Sequence, residues 1–321
     1  MSTDRLLTVG EAMVRLSTQS NEPLVAAHGF DVSVGGAELN VAIAASQMGL
    51  PSAWMSRLPD DALGEKIIQH AQRFGVETIV DVGPERVGLY FAEIAPEPRG
   101  VTVTYDREYS GACAMTADNF DLTGQVQASS CLYSSGITFA LGEGSRELVK
   151  ALFSTSDSVR RYFEVNHRSK LASPEDTRTW VRELLPEIDV LFASSFDLDE
   201  LLGLGSTPQE ASQKAIAEFG LEWVVVSDRK GRVGGIGSNR IQVFGPEMEV
   251  SGEAEGRIVD PIGAGDAGAG AFIACLEEAG DPAWAAQQAV RASAWKQTHF
   301  GDAACFQRKD IVEFDERRIR R

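Results

Sequence analysis

Positive charge is scarce in this chain, and its cysteines form no pattern. Lys and Arg number 30 against 47 Asp and Glu, a formal net charge of −17 over 321 residues. The field of such a molecule repels polyanions, which excludes nucleic acid and anionic membrane surfaces as general partners. Cys113, Cys131, Cys275 and Cys305 are widely spaced, with no C-x-x-C pair and no Cys/His cluster at zinc-ligand spacing. A disulfide framework and a structural zinc site are therefore not expected, and a reducing, cytoplasmic setting is. No apolar run reaches the length of a signal-peptide core or a membrane span, so neither secretion nor insertion is expected. The pattern G-x-x-x-x-G-K-[ST] is missing, which removes the Walker-type kinases. Internal repeats, low-complexity tracts and linkers are missing too. The basic tail, Arg317, Arg318, Arg320 and Arg321, reads as a solvated helix end, because four charges do not outweigh the field of the whole molecule. An anionic substrate must be met by locally placed arginines, since long-range steering works against its entry.

What the chain does have is a rhythm. Apolar runs at Leu6 to Val9, Ala53 to Ser56, Cys131 to Ser134, Tyr162 to Val165, Val190 to Phe192 and Trp223 to Ser227 alternate with helical patterns. The helices are expected at 39–48, 64–74, 144–153, 174–184, 208–219 and 281–298. This alternation predicts an α/β fold with a mostly parallel sheet and helices on both faces. Phe30 to Val34, Gly88 to Ile94 and Val101 to Tyr105 show period-two alternation and predict a small antiparallel sheet over one end. Ligands of open parallel sheets bind beyond the carboxyl ends of the strands. Gly10-Glu11, Ser135-Gly136, Asn166-His167-Arg168 and the segment from Asp260 to Asp266 would collect there.

That last segment is the most informative: Asp260-Pro-Ile-Gly-Ala-Gly-Asp-Ala-Gly-Ala-Gly-Ala-Phe272. It follows a short strand expected at Arg257 to Val259 and leads into a helix. Gly263, Ala264 and Gly265 then form a strand-to-helix turn with unpaired N–H groups, an anion cradle. Asp266 at the helix start is an odd choice for merely holding phosphate but suits a base beside one. A plain helix cap accounts for Asp and Gly here equally well. A dinucleotide fingerprint also matches G-x-G-x-x-G, but the βαβ units that should follow have no room.

Two separated segments resemble the signatures of the ribokinase-like (PfkB-type) carbohydrate kinases. Gly35-Gly36-Ala-Glu-Leu-Asn40 through Gly49-Leu50 is similar to the amino-terminal signature, and DPIGAGDAGAG to the carboxyl-terminal one. Leu58-Pro-Asp-Asp-Ala-Leu-Gly64 resembles the family's acidic-Gly turn. Gly10-Glu-Ala-Met-Val-Arg-Leu16, Gly88-Leu-Tyr90, Tyr105-Asp-Arg107, Ser135-Gly-Ile-Thr138 and Val165-Asn-His-Arg168 resemble, in order, the 2-keto-3-deoxygluconate kinases. The resemblance implies a ribokinase-like three-layer sandwich in a single kinase domain, with lid strands from about 12–36 and 86–110. It implies ATP-dependent phosphorylation of a sugar acid, most simply 2-keto-3-deoxygluconate to its 6-phosphate. The alternatives are a kinase for fructose or another ketose, or a non-catalytic sugar- or nucleotide-binding relative.

Carried over residue by residue, the resemblance makes Asp266 the catalytic base and Gly263, Ala264 and Gly265 the anion hole. Gly36, Asn40, Tyr90, Tyr105, Arg107, Ile137 and Arg168 become the sugar site. Ser194, Asp197, Ser227, Lys230, Gly231, Gly263 and Gly265 become the nucleotide site. ATP and Mg2+ are the implied cofactors, with a monovalent cation found in relatives; no residue is assigned to a metal. Strand alternation puts Val101, Val103, Tyr105 and Arg107 on one face, and two arginines with tyrosines suit a carboxylate, which Arg grips bidentately. The plain alternative has Arg107 solvating an edge strand and Arg168 pairing with Glu164 or Asp176. Asp266 is expected exposed, with an ordinary pKa of about 3.9. The chain departs from the family at Ser194-Ser-Phe-Asp197 (usually Asn-x-x-Glu), at Asp228-Arg-Lys-Gly231 (usually Gly-x-x-Gly), at Glu164 (usually Asp) and at Gly268 (usually aromatic). Asp228 would repel nucleotide phosphates, with Arg229 and Lys230 to offset it. Uncovered lid edges imply a homodimer through the lid strands.

Overall fold

The computed structural model describes residues 5–155 and 158–313; the tail arginines lie outside them. The amino-terminal half runs β1 (Leu6–Val9), β2 (Met13–Thr18), β3 (Phe30–Gly35), α1 (Ala37–Gln47), β4 (Ser52–Pro59), α2 (Ala62–Arg73), β5 (Val76–Gly83), β6 (Gly88–Ile94) and β7 (Val101–Asp106). After these come α3 (Leu122–Gln127), β8 (Cys131–Ser135), α4 (Gly136–Leu141), α5 (Glu143–Phe153), β9 (Arg160–Glu164), α6 (Pro174–Leu184), β10 (Val190–Ser194) and α7 (Pro208–Phe219). The chain ends in β11 (Trp223–Lys230), β12 (Ile236–Phe244), β13 (Glu249–Arg257), α8 (Ala264–Ala279), α9 (Pro282–Lys296) and α10 (Arg308–Val312).

A nine-stranded sheet has the order β13-β12-β11-β10-β9-β8-β1-β4-β5. From β11 to β5 every pairing is parallel, and β12 and β13 extend that edge antiparallel. Alternate residues of each strand serve different layers. Leu7 and Val9 enter a core with α5, α6 and α7, whereas Leu6 enters one with α1, α8 and α9. The helices that frame these layers start on local chemistry: Asp61 accepts the N–H groups of Leu63 and Gly64 at 2.9 Å, and Ser173 and Thr207 cap α6 and α7 ahead of Pro174 and Pro208.

A second sheet, β3-β2-β6-β7, lies over the carboxyl ends of the parallel strands. Its outer pairings are antiparallel and its central pair, β2 with β6, is parallel. Met13, Tyr90, Ala92 and Ile94 on its inner face pack with Val233 and Ile262 of the large sheet's loops.

One sequence expectation is corrected. No short strand covers Arg257 to Val259; Arg257 ends the antiparallel strand β13, and an irregular segment carries the chain from there to α8. The hairpin of β12 and β13 escapes an apolar-run reading because one of its faces is exposed, so polar residues alternate along it, as in Gly237-Ser-Asn-Arg240.

Candidate active site

Sheet ends and lid together enclose a cleft of about 690 Å³. Its floor is the turn into α8. Gly263 there has φ +83°, and a side chain on it would strike the carbonyl of Asp302, so only glycine fits. The Ala264 N–H is held by the Pro261 carbonyl at 3.3 Å, which leaves the following first-turn N–H groups to serve an anion.

Asp266 projects from that first turn, and its Oδ2 accepts a hydrogen bond from Asn40 Nδ2 at 2.7 Å. The expectation of an exposed, ordinary aspartate is corrected: the residue is half-buried. Burial first, then the charge of Glu164, pushes its pKa up to about 7, against the pull of the Asn40 hydrogen bond. Asn40 reaches it because α1 starts immediately behind Gly36, where a side chain would collide with the Glu11 carbonyl.

Two further carboxyls act electrostatically with Asp266, the half-buried Glu164 and the fully buried Glu38. Glu164, at the end of β9, accepts from Tyr133 OH at 2.6 Å, and burial raises its pKa. Glu38, on α1, accepts from Ser135 Oγ at 2.6 Å and Thr138 Oγ1 at 2.7 Å, while its Oε2 has no partner. Burial pushes Glu38 up to about 7. Sequence reasoning passed over Glu38, because an acidic residue in a first helical turn satisfies the helix dipole without further explanation.

Arg107 is buried in the cleft and ion-paired with Glu11, whose other oxygen accepts from Ser110 Oγ at 2.5 Å. Its guanidinium lies 5.4 Å from the Tyr105 ring centroid, and its Nε has no hydrogen-bond partner. The reading of Arg107 as a solvated edge residue is thereby set aside. Arg168 stands exposed at the cleft mouth with no ion pair among the described residues. The carboxylates proposed for it are otherwise engaged, Glu164 by Tyr133 and Asp176 by Ser173. Tyr90 and Tyr105 stack at 5.8 Å, and the buried Tyr90 hydroxyl lacks a partner. Ile137 completes this side, its N–H held by Ser135 Oγ at 3.2 Å.

Beneath the turn lies a buried ion network that sequence reasoning missed. Arg15 of the lid donates to Asp302 and to Asp260, each at 2.6 Å, with every partner almost fully buried. Burial works against the Arg15 charge, but the two carboxylates prevail and raise its pKa. Lys296, fully enclosed on α9, donates to the Asp260 carbonyl at 2.9 Å, and burial lowers its pKa.

The expected nucleotide residues divide. Lys230 and Gly231 line the main cleft, and Ser227 lines a small adjoining cavity. Ser194 and Asp197 are not brought to either. Asp197 folds back to accept from the Ser194 N–H at 2.9 Å and Oγ at 2.7 Å, which uses both side chains locally. Gly263, Ala264, Gly265, Gly36, Asn40, Tyr90, Tyr105, Arg107, Ile137, Arg168 and Asp266 all line the main cleft.

The chain matches the model of the pfkB family carbohydrate kinases over residues 3–309. It is 38% identical to a 2-dehydro-3-deoxygalactonokinase of Haloferax volcanii over 308 residues, covering 94% of this chain and 93% of that protein. A 2-dehydro-3-deoxygluconokinase of Thermoproteus tenax is 30% identical over 299 residues, 90% of this chain and 87% of the relative. Among solved structures, a 2-dehydro-3-deoxygluconokinase of Thermotoga maritima superposes with a TM-score of 0.92 at 29% identity, covering 97% of each chain. A protein of E. coli described as ribokinase II, solved with ATP and Mg2+, shares the fold at a TM-score of 0.83 and 20% identity, covering 98% of this chain and 99% of that one.

Proposed function

This chain belongs to the pfkB family of carbohydrate kinases, and from that premise we propose that it transfers the terminal phosphoryl group of ATP to the 6-hydroxyl of 2-keto-3-deoxygluconate. The observation that carries the sugar-acid reading is the placing of Arg107 and Arg168, with Tyr90 and Tyr105, in the same cleft as Asp266. A neutral sugar needs no such cations, whereas a carboxylate is gripped by them. The Haloferax and Thermoproteus relatives support the same class of substrate, the former through the galactonate epimer.

Asp266 accepts the hydroxyl proton as the oxygen attacks phosphorus, and Asn40 holds the carboxylate in position. First-turn N–H groups of α8 receive the charge of the transferred group. Tyr90 lines the cleft with its hydroxyl beside Asp302, where it narrows the sugar site. Mg2+ takes one or two carboxylates together with phosphate oxygens. Glu164, in the same cleft, would supply one such carboxylate and leave Asp266 free to act as the base; no cluster of three or more candidate ligands occurs among the described residues. When bound, the ion neutralises phosphate charge. For a monovalent cation the described residues point to no donor set; beside the turn, Lys296 already donates to the Asp260 carbonyl.

The lid edge β7 is mostly exposed, which supports a homodimer through the lid strands; a monomer by sedimentation equilibrium would end that part of the reading. No helix among the described residues is long and apolar enough to cross a membrane. With the isolated cysteines, this supports the proposed cytoplasmic location.

The test is ADP release with MgATP and a panel of 2-keto-3-deoxygluconate, 2-keto-3-deoxygalactonate, fructose, ribose and gluconate. Turnover confined to the keto-deoxy acids is expected. Faster turnover of fructose or ribose would replace the reading with that of a neutral-sugar kinase, and silence across the panel would leave a ligand-binding relative.

A further inference from the structure

Strand alternation turns Val225, Ser227 and Arg229 of β11 toward α8, and Val225 packs in the core shared with that helix. Arg229 thereby arrives at the anion turn. A Cβ added to Gly265 would lie 2.9 Å from Arg229 Nη1 and 3.2 Å from Nη2, so the guanidinium rests directly on the turn. Its neighbours cancel one another: Lys230 is 3.3 Å from Asp228, and both side chains are largely exposed. Arg229 itself makes no ion pair among the described residues, and it lines both the main cleft and the small cavity beside it.

Directly across the ladder from Arg229 stands Asn239 of β12. It is 3% exposed, and neither its Oδ1 nor its Nδ2 has a hydrogen-bond partner. A buried carboxamide with all its bonds unmade is costly and calls for a ligand or a rearranged partner. With Ser227, Glu164 and Gly265 it lines the small cavity, whose volume of about 30 Å³ suits one water molecule and excludes a nucleotide. Asn239 makes no direct bond to Arg229 and is placed to act on it through one bridging water in that cavity.

We propose that Arg229, positioned by Asn239, is a catalytic residue that grips the phosphate donor at the anion turn. The proposal rests on the kinase reading above. In the transfer, the bond between the γ-phosphorus and the β–γ bridging oxygen breaks, and that oxygen leaves on ADP with the electron pair. The sugar oxygen forms the new bond to phosphorus, and its proton passes to Asp266. Arg229 keeps its protons throughout and neutralises the charge that gathers on the bridging oxygen. This also explains how the chain tolerates Asp228 where a glycine is usual: Lys230 masks it, and Arg229 restores a positive field at the phosphates.

The experiment compares Arg229→Gln, Arg229→Lys, Asn239→Ala and Asp266→Asn with the parent enzyme at saturating sugar acid. The expected loss in kcat is about 100- to 1000-fold for Arg229→Gln, with the KM for the sugar acid nearly unchanged and partial rescue by added guanidinium. Asn239→Ala should lose about 10-fold, and Arg229→Lys should fall between the parent and Arg229→Gln. Thermal melts that match the parent keep the comparison free of folding effects. A kcat for Arg229→Gln within about threefold of the parent, while Asp266→Asn is inactive, overturns the role of Arg229 alone. If Asp266→Asn also keeps full turnover, the kinase mechanism itself fails.

Discussion

In the proposed mechanism Asp266 is a base whose strength is made by its surroundings. An unshifted aspartate would be ionised over the whole neutral range, but burial and Glu164 raise this one to about 7. That brings it close to the optimum for general-base work near neutrality. The rate kcat/KM should therefore fall as pH drops through about 7, because the protonated acid accepts nothing. An acid limb lying near pH 4 would show that the shift is absent in the working enzyme. Asp266→Asn should cost about two orders of magnitude or more in kcat. Glu38 gives the stability counterpart. Its pKa is raised from 4.5 to about 7, so the native state holds the proton that the unfolded chain releases, and stability is lost as pH rises through that interval. Glu38→Gln removes the burden: it should match the parent near pH 5 and exceed it at pH 8 by up to about 3 kcal/mol. Denaturant titrations at the two pH values decide this, and equal effects at both would refute it.

At the scale of elements, β2 is a lid strand that is riveted to the turn into α8. Arg15 holds Asp260, where that turn starts, and Asp302, whose carbonyl sits against Gly263. Lys296 holds the Asp260 carbonyl from the opposite helix. Closure of the lid about β2 would break two buried ion pairs, and β6, laddered to β2 from Gly88 to Ala92, is held with it. Arg15→Met should destabilise by about 3–5 kcal/mol, because both carboxylates stay buried without their partner. It should also lower kcat as the turn loosens. A loss below about 1 kcal/mol in urea titration would mean that water or Lys296 replaces the arginine.

For the whole molecule, the charge of −17 opposes a negatively charged substrate. Arg107 and Arg168 act only at close range, since one is buried and paired and the other stands alone at the mouth. Added salt screens the long-range repulsion first. The kcat/KM for the sugar acid should thus rise by about two- to fivefold between low and physiological ionic strength, with kcat unchanged. A fall with salt in stopped-flow or steady-state data would show that the local arginines govern encounter as well as binding.

The alternation of apolar runs with helical patterns determined the layers, and α6 and α7 begin and end where Pro and the apolar spacing place them. The two glycine-rich segments, read as a resemblance, pointed to the turn into α8 and to Asn40, which the fold brings together at Asp266. These features were legible because they are local: strand period, helix caps and turn chemistry act between near neighbours in the chain. The polar hairpin β12–β13 was not, since its burial on one face depends on α9 packing beneath it. Nor were the raised pKa of Asp266, the Arg15 bridge or the Arg229–Asn239 pair. A pKa depends on what surrounds the group, and Arg15 meets Asp260 across a separation of 245 residues. Composition determined that the field is repulsive; only the folded chain decided which charges are buried, which are cancelled and which are left facing the cleft.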